Sequence, residues 1–201
     1  MTAYVWSPLS PTQVAAVFDR LEIAWWIAGG VAIDMFVGRA TREHGDLDVA
    51  MLRRDVAGLV SLLDEWDIQI AHDGVLTPWD GAPLGEEMHQ FWVRPRGADA
   101  WVFEILLERS EGDDWLYRRD ARLRKPIAEI GRRSAEGIPY LATEICLLYK
   151  SPRLNVARNQ ADFDSAAPML DSGARSWLRE SVKTLDAQHA WLPLLGPLTV
   201  R

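Results

Sequence analysis

The sequence predicts a mixed α/β (α+β) fold, a mixed sheet flanked by helices, with a small helical region at its C-terminal end. Three observations carry that prediction. Short apolar runs bounded by glycine, proline and charge recur through the first 140 residues, as buried strands do. Amphipathic segments with apolar residues three and four apart alternate with them. Beyond residue 140 only the helical pattern continues, which divides the chain into a core at 1–140 and a helical region at 141–201. At 201 residues with 48% hydrophobic and 25% charged, the chain can bury a core and is not disordered by composition.

The elements follow in order. Ser10-Pro11-Thr12-Gln13 starts a helix: serine caps, proline suits the first turn, and glutamine sits three residues beyond the cap. This helix is expected over 10–21. Residues 24–28 form a buried strand that runs into Gly29-Gly30, and a short helix follows over 31–37. A polar loop at 38–45 leads to a second strand at 47–52. The spacing of Val56, Leu59, Val60 and Leu63 predicts a helix over 55–66. A third strand is expected at 68–71, then a loop over 73–87 rich in glycine, proline and acids. Extended segments at 89–94 and 101–107 flank Arg96-Gly97-Ala98-Asp99 as a hairpin. The charged stretch 111–125 reads as a surface helix or a loop, and 127–141 as short strands or irregular chain. Helices are predicted at 143–150, 158–170 and 176–188.

Composition narrows the function. The formal net charge of −7 argues against tight nonspecific binding to nucleic acid. It suits a cationic small molecule, or a nucleotide held through a metal. Cys146 is the single cysteine, so there is no internal disulfide framework and no multi-cysteine zinc site. No apolar run is long enough to span a bilayer, and the N-terminus lacks a secretory pattern. A reducing, cytoplasmic setting is expected. The ten tryptophans supply core and, in part, flat surfaces for a ring-shaped ligand.

Carboxylates provide the first chemical signal. Four acid pairs lie two residues apart: Asp46/Asp48, Glu65/Asp67, Glu111/Asp113 and Asp162/Asp164. Chance alone gives about four at this composition, so setting decides between them. Only Asp46/Asp48 heads an apolar strand, after a Gly-Gly turn, a short helix and a basic loop. Side chains two apart on a strand share a face, and two such carboxylates can hold Mg²⁺. The other pairs read as solvated charge. Glu104 lies within the apolar run Trp101-Val102-Phe103-Glu104-Ile105-Leu106-Leu107. An acid there needs a partner, a metal or an exposed strand face. If its strand neighbours that of Asp48, three carboxylates converge.

Gly29-Gly30 lets the backbone approach a ligand, and the helix beyond offers free N–H groups to a phosphate. Arg42 can grip a phosphate through its planar fork, and His44 can orient a phosphate or an acid. Lys150 ends an amphipathic helix, where the dipole favours it and from which it can reach a triphosphate. Cys146 reads as core packing. Neither HExxH nor GxxxxGK[ST] is present.

Together, IAGGVAIDMFVGRATREHGDLDVAM resembles the nucleotidyltransferases of the DNA polymerase β superfamily, above all the aminoglycoside 2″-adenylyltransferases and lincosamide nucleotidyltransferases. The matching residues are Gly29, Gly30, Ala32, Asp34, Gly38, Arg39, Thr41, Arg42, His44, Asp46 and Asp48. LATEICLLYK resembles the family's helix that ends in a lysine, and Asp162-Phe163 and HAWL at 189–192 resemble features of further relatives. The chain departs from the family's patterns at three points. The superfamily's usual Gly-Ser is Gly-Gly here, as it is in the antibiotic branch, the aspartate that follows the histidine in the aminoglycoside branch is Gly45, and a lysine-aspartate doublet before Asp162 is Arg158-Asn159.

The resemblance implies a mixed-sheet nucleotidyltransferase core. Asp46 and Asp48 would bind Mg²⁺, with Glu104 as general base or third metal ligand. Gly29, Gly30, Arg42, His44 and Lys150 would bind the nucleotide. The implied reaction moves a nucleoside monophosphate from ATP or another triphosphate to a hydroxyl of a small acceptor such as an aminoglycoside, releasing pyrophosphate. Glu86, Glu87, Glu111, Asp113 and Asp114 are expected to attract a polycationic acceptor. Two alternatives differ in class: a toxin-type enzyme modifying tRNA or protein, served by Arg118, Arg119, Arg122, Arg124 and Lys125, and a nucleotide-binding module without turnover. A homodimer is compatible with the apolar tail 190–201, and no membrane partner is expected.

Overall fold

The computed structural model describes residues 4–196. Ten strands and five α-helices build it in the order α1 (Pro11–Phe18), β1 (Trp25–Ile27), α2 (Gly29–Val37), β2 (Asp48–Leu52), β3 (Trp66–His72), β4 (Val75–Pro78), β5 (Gln90–Pro95), β6 (Phe103–Glu111), β7 (Asp114–Leu116), β8 (Arg124–Pro126), β9 (Gly131–Arg133), β10 (Pro139–Leu141), α3 (Thr143–Lys150), α4 (Ala157–Ala166) and α5 (Ser172–Leu185). The fold is α+β, as the sequence predicts. Among the described residues no helix is long and apolar enough to cross a membrane.

The sheet runs β4-β3-β5-β6-β2-β1-β10-β9, with β7 on the far end of β6 and β8 beside β7. It is mixed. β2 and β6 are parallel, as are β1 and β10, while β1/β2 and β5/β6 are antiparallel. The centre of this order is the hydrophobic centre too: Ile27, Val49, Ala50, Met51, Phe103 and Ile105 have no exposed surface. Strands buried on both faces read as continuous apolar runs, which is why β1, β2 and β6 are legible in the sequence.

Local chemistry fixes the helix ends. Ser10 Oγ accepts from the Gln13 N–H at 3.3 Å, and Gln13 Oε1 accepts from the Ser10 N–H at 2.9 Å. That is the reciprocal cap expected from the sequence, and it turns Val14, Val17 and Phe18 into the core. Gly38 closes α2 in the left-handed conformation at φ +79°, which a side chain disfavours. After β10, helix α3 buries Ile145, Cys146, Leu147 and Leu148. Cys146 is therefore core, as its apolar neighbours imply. In the tail, Trp191 is fully buried and stacks on Phe163 with ring centroids 4.1 Å apart. Residues 197–201 of that tail lie outside the described residues.

Several expectations are corrected. Asp55 to Leu62 belongs to a run of 3-10 turns (Arg53–Leu62), not an α-helix; Gly58 within it packs against Ile23, which leaves little room for a side chain. The stretch 73–87 contains β4, a hairpin partner of β3. The segment 111–125 holds β7 and β8 rather than a surface helix or plain loop. Its Trp115 and Tyr117 are fully buried and Leu116 and Leu123 nearly so, and these apolar anchors outweigh the surrounding charge. The predicted helix 158–170 breaks at Ala167–Met169, a 3-10 turn containing Pro168, where the ring cannot continue the α-helical ladder.

Candidate functional site

β1 and β2 set the backbone of the site. Their antiparallel register pairs Ile27 with Val49, and the Ala28 N–H donates to the Asp48 carbonyl at 2.8 Å. The first turn of α2 therefore stands beside the head of β2. Both expected glycines lie inside that turn, not before it. Gly29 has φ +63°, and a Cβ there would sit 1.9 Å from Asp48 Oδ2. The carboxylate thus occupies the space that any other residue would fill. At Gly30 a Cβ would sit 2.3 Å from Arg42 Nη2 and 2.6 Å from the His44 ring. This explains the Gly-Gly departure: Arg42 and His44 fill the place where the common serine would project.

Glu104 follows from the parallel pairing of β2 with β6. Asp48 and Glu104 are register partners, so their side chains leave the sheet on one face, side by side. β6 is an interior strand and Glu104 is only 9% exposed, which removes the exposed-edge alternative. Gln90 Nε2 on β5 donates to Glu104 Oε2 at 2.6 Å. Asp46 is corrected in one respect. It precedes β2 in an exposed, irregular segment, so it does not share the strand face by pleat. Its charge still reaches Asp48 and Glu104.

Crowding of these acids shows in their proton affinities. Burial, then the charge of Asp46, raise Asp48 to about 6, against the opposing pull of Lys150, Arg158 and Arg42. Burial, then the charge of Asp48, raise Glu104 to about 8, although the Gln90 hydrogen bond works the other way. Like charges this close favour a proton on one of them. A cation would serve the same end.

That is also the test of Mg²⁺. Hard oxygen donors at a shielded strand head, with charge repulsion unrelieved, fit a divalent cation. Asp48 and Glu104 would hold it from the sheet, with Asp46 from the preceding segment. Among the described residues, however, no three His, Cys, Asp or Glu side chains are already drawn together as a metal site.

The basic residues take unexpected partners. Arg42 grips Asp162 with both prongs, Nε to Oδ1 at 3.0 Å and Nη2 to Oδ2 at 3.2 Å. Lys150 Nζ lies 2.8 Å from the same Asp162 Oδ2. Asp162 is 1% exposed, which corrects its reading as solvated charge. Burial would raise its pKa, but the bonds from Arg42 and Lys150 outweigh that and hold it below the ordinary value. The helical spacing carries the signal: Asn159, Asp162, Phe163 and Ala166 form the buried face of α4. His44 Nε2 meets Asp34 Oδ2 at 2.6 Å, while Asp34 Oδ1 accepts from the Thr41 N–H at 3.0 Å and its hydroxyl at 2.5 Å. The loop after α2 is therefore pinned from both sides.

These elements enclose a cleft of about 360 Å³ whose lining includes Gly29, Asp48, Lys150, Arg153, Arg158 and Glu108. A contiguous recess of about 290 Å³ is lined by Gly30, Arg42, Asp46, Asp48, Lys150 and Arg158 among others. Gly30, Arg42, Asp46, Asp48 and Lys150 are thus brought to one recess. Glu104 stands beside Asp48, and His44 packs over Gly30 without lining either space. Arg158, which the sequence shows only as a departure from a family motif, faces Asp48 in both. Glu108, two residues beyond Leu106 on the same face of β6, accepts from the Tyr149 hydroxyl at 2.6 Å and Trp115 Nε1 at 2.7 Å. No tryptophan lines either space, so the expected stacking surface is not there.

The acids expected to draw a polycation are placed differently. Glu111 and Asp114 both pair with Arg124, at 3.3 Å each. Part of the basic run expected to serve a macromolecule is paired within the fold: Arg122 with Asp120 and Lys125 with buried Glu144, both at 2.6 Å, and Arg124 with the two acids just named, whereas Arg118 has no such partner among the described residues.

The chain is similar to known proteins in sequence and in fold. Residues 12–79 match the family model described as aminoglycoside-2″-adenylyltransferase. A 2″-aminoglycoside nucleotidyltransferase of Klebsiella pneumoniae is 37% identical over 54 residues, which are 25% of this chain and 30% of that protein. The fold is shared with ANT(2″)-Ia in complex with adenylyl-2″-tobramycin, at a TM-score of 0.54 and 18% identity over 86% of this chain and 93% of that one. Lincomycin-bound LnuA, a lincosamide antibiotic adenylyltransferase, gives 0.53 and 15% over 77% and 92%. An antigenic nucleotidyltransferase-like protein from Paracoccidioides brasiliensis gives 0.51 and 16% over 94% of both. The resemblance read from Gly29 to Asp48 is thus found again at the level of family and of fold.

Proposed function

We propose that this chain is a Mg²⁺-dependent nucleotidyltransferase that moves a nucleoside monophosphate, from ATP or another triphosphate, to a hydroxyl of a small acceptor. One observation carries the reading: Asp48 and Glu104 stand side by side on parallel strands, at the point where the glycine turn of α2 opens onto a cleft with Lys150 and Arg158. The aminoglycoside and lincosamide transferases named above act, by their names, on those antibiotics, which makes a small hydroxylated antibiotic the first acceptor class to test. In this reading residues 1–140 form the transfer core and 141–201 the helical region that supplies Lys150 and Arg158.

Each residue then has a task. The N–H groups at the start of α2 receive phosphate oxygens, because Gly29 and Gly30 leave no side chain in the way. Arg42 and Lys150, held in place by Asp162, supply positive charge for the departing pyrophosphate. The acceptor oxygen forms a bond to the α-phosphorus as the bond from that phosphorus to the β-bridging oxygen breaks. Glu104 takes the proton of the attacking hydroxyl. Burial first and the charge of Asp48 second keep Glu104 protonated up to about 8, and positive charge beside Asp48 opposes both by favouring the carboxylate. Bound Mg²⁺ would supply that charge and polarise the phosphoryl oxygens.

The test is pyrophosphate release from each nucleoside triphosphate with Mg²⁺ and an acceptor panel. Release is expected to require an acceptor. Glu104→Gln is expected to reduce it at least about a hundredfold, the lower range for a lost general base, while triphosphate binding persists. Full activity in Glu104→Gln would remove Glu104 from the chemistry.

A further inference from the structure

A second chamber, of about 730 Å³, adjoins the cleft and shares His89, Leu107 and Arg118 with it. Its charged lining is four arginines, Arg53, Arg54, Arg109 and Arg118, against two glutamates, Glu86 and Glu87. The first two arginines are committed to the fold. Arg53 donates to the carbonyls of Leu84, Gly85 and Met88, and Arg54 to that of Gly112. Arg109 and Arg118 make no side-chain hydrogen bond or ion pair among the described residues. Both glutamates are exposed, whereas Arg118 is half-buried at the junction of the two spaces. It directly follows Trp115, Leu116 and Tyr117, which are buried and fix its origin. Its charge reaches the buried Glu108, which already accepts from Tyr149 and Trp115, but no carboxylate pairs with it among the described residues, and a partly desolvated guanidinium so placed favours the arrival of an anion.

His89 stands at the same junction. Its Nδ1 lies 2.6 Å from the Glu87 carbonyl oxygen. A carbonyl only accepts, so Nδ1 carries the proton and Nε2 keeps a lone pair. Burial, followed by the charges of Arg118, His72 and Arg53, depresses its pKa despite the Glu87 bond, in keeping with a neutral ring. A neutral imidazole nitrogen accepts from a hydroxyl. Arg118 is absent from the recess around Gly30 and Arg42, where the triphosphate is placed above.

We propose that this chamber receives the acceptor and that the acceptor is a hydroxylated anion, its phosphate, sulfate or carboxylate bound by Arg118 and a hydroxyl held by His89 Nε2. This rests on the nucleotidyl-transfer reading, since it assigns the second substrate of the same cleft, and it differs in charge from the polycations that the acidic residues first suggested.

Calorimetry on the full chain saturated with Mg²⁺ and a non-hydrolysable ATP analogue tests it, with glucose 6-phosphate, glucose and tobramycin as probes. Glucose and its phosphate differ only in the anion. Glucose 6-phosphate is expected to bind at least about tenfold tighter than glucose, roughly the worth of one charge-assisted contact. Arg118→Ala is expected to erase that preference and leave the affinity for the ATP analogue within about twofold. Arg118→Lys, which keeps the charge without the planar fork, retains part of the preference and guards against a folding defect in the alanine variant. Tighter binding of tobramycin than of glucose 6-phosphate, or a phosphate preference that survives Arg118→Ala, overturns the proposal. Failure of the wild-type chain to bind the ATP analogue at all overturns the nucleotidyl-transfer reading beneath it, an outcome the other probes do not mimic.

Discussion

Glu104 concentrates the energetic conflict of the site in one side chain. Folded, it keeps its proton up to about 8; its ordinary value is near 4.5. Between those pH values the folded chain holds a proton that the unfolded chain has lost. Stability therefore falls as pH rises from about 4.5 to about 8, then levels off. Glu104→Gln cannot ionise, so its stability curve is expected to be flatter across that window, by at most about 1.4 kcal/mol for each step of one in pH. Denaturant titrations at stepped pH measure this, and identical slopes in the two proteins would refute it. Added Mg²⁺ is expected to flatten the wild-type curve. The glycines give a second expectation at this scale. Gly29→Ala combines φ +63° with a Cβ at 1.9 Å from Asp48 Oδ2, so it must displace the carboxylate. We expect a loss of about 1–2 kcal/mol from the backbone alone, with transfer activity abolished. An active Gly29→Ala would show that the close approach is unnecessary. These residues are legible in the sequence because acids and paired glycines stand out among apolar neighbours. That Asp46 precedes the strand is not, since element ends depend on pairing partners that spacing does not reveal.

Helices α2, α3 and α4 meet through one buried carboxylate. Asp162 on α4 holds Lys150 at the end of α3 and Arg42 in the loop after α2. Two cations beside one anion leave positive charge to spare for phosphate. Asp162→Asn removes the compensation, and a buried ion cluster that loses one partner typically costs about 3–5 kcal/mol. The expected signature is partial recovery when Mg²⁺ and the ATP analogue are present, because phosphate then faces Arg42 and Lys150. Equal destabilisation with and without nucleotide would make Asp162 a purely structural residue. Helix α3 and its terminal lysine are plain in the sequence, but Asp162 is not, since an acid on a charged helix looks solvated until its buried face is traced. β7 and β8 are hidden for a related reason. Six of the residues from Arg118 to Lys125 are ionised, and the acids that pair with Arg124 and Lys125, namely Asp114, Glu111 and Glu144, become visible only after folding.

At the scale of the molecule, the order β5-β6-β2-β1 and the turn into α2 bring the candidate site together. The sequence contains those four strands as apolar runs, whereas the parallel pairing that sets Glu104 beside Asp48 comes only from the fold. The net charge of −7 conceals a cleft whose lining sets Lys150, Arg153, Arg158, Arg118 and Arg119 against Asp48 and Glu108; a whole-chain sum says nothing about one concave surface. Nucleotidyl transfer by this chain is decided by pyrophosphate release from nucleoside triphosphates with Mg²⁺, over aminoglycosides, lincosamides and hydroxylated anions, beside an Asp48→Asn control of unchanged thermal stability. Release that depends on an acceptor and disappears in the control is the expected result. Binding of triphosphate without release from any acceptor, or release undiminished in Asp48→Asn, would contradict it.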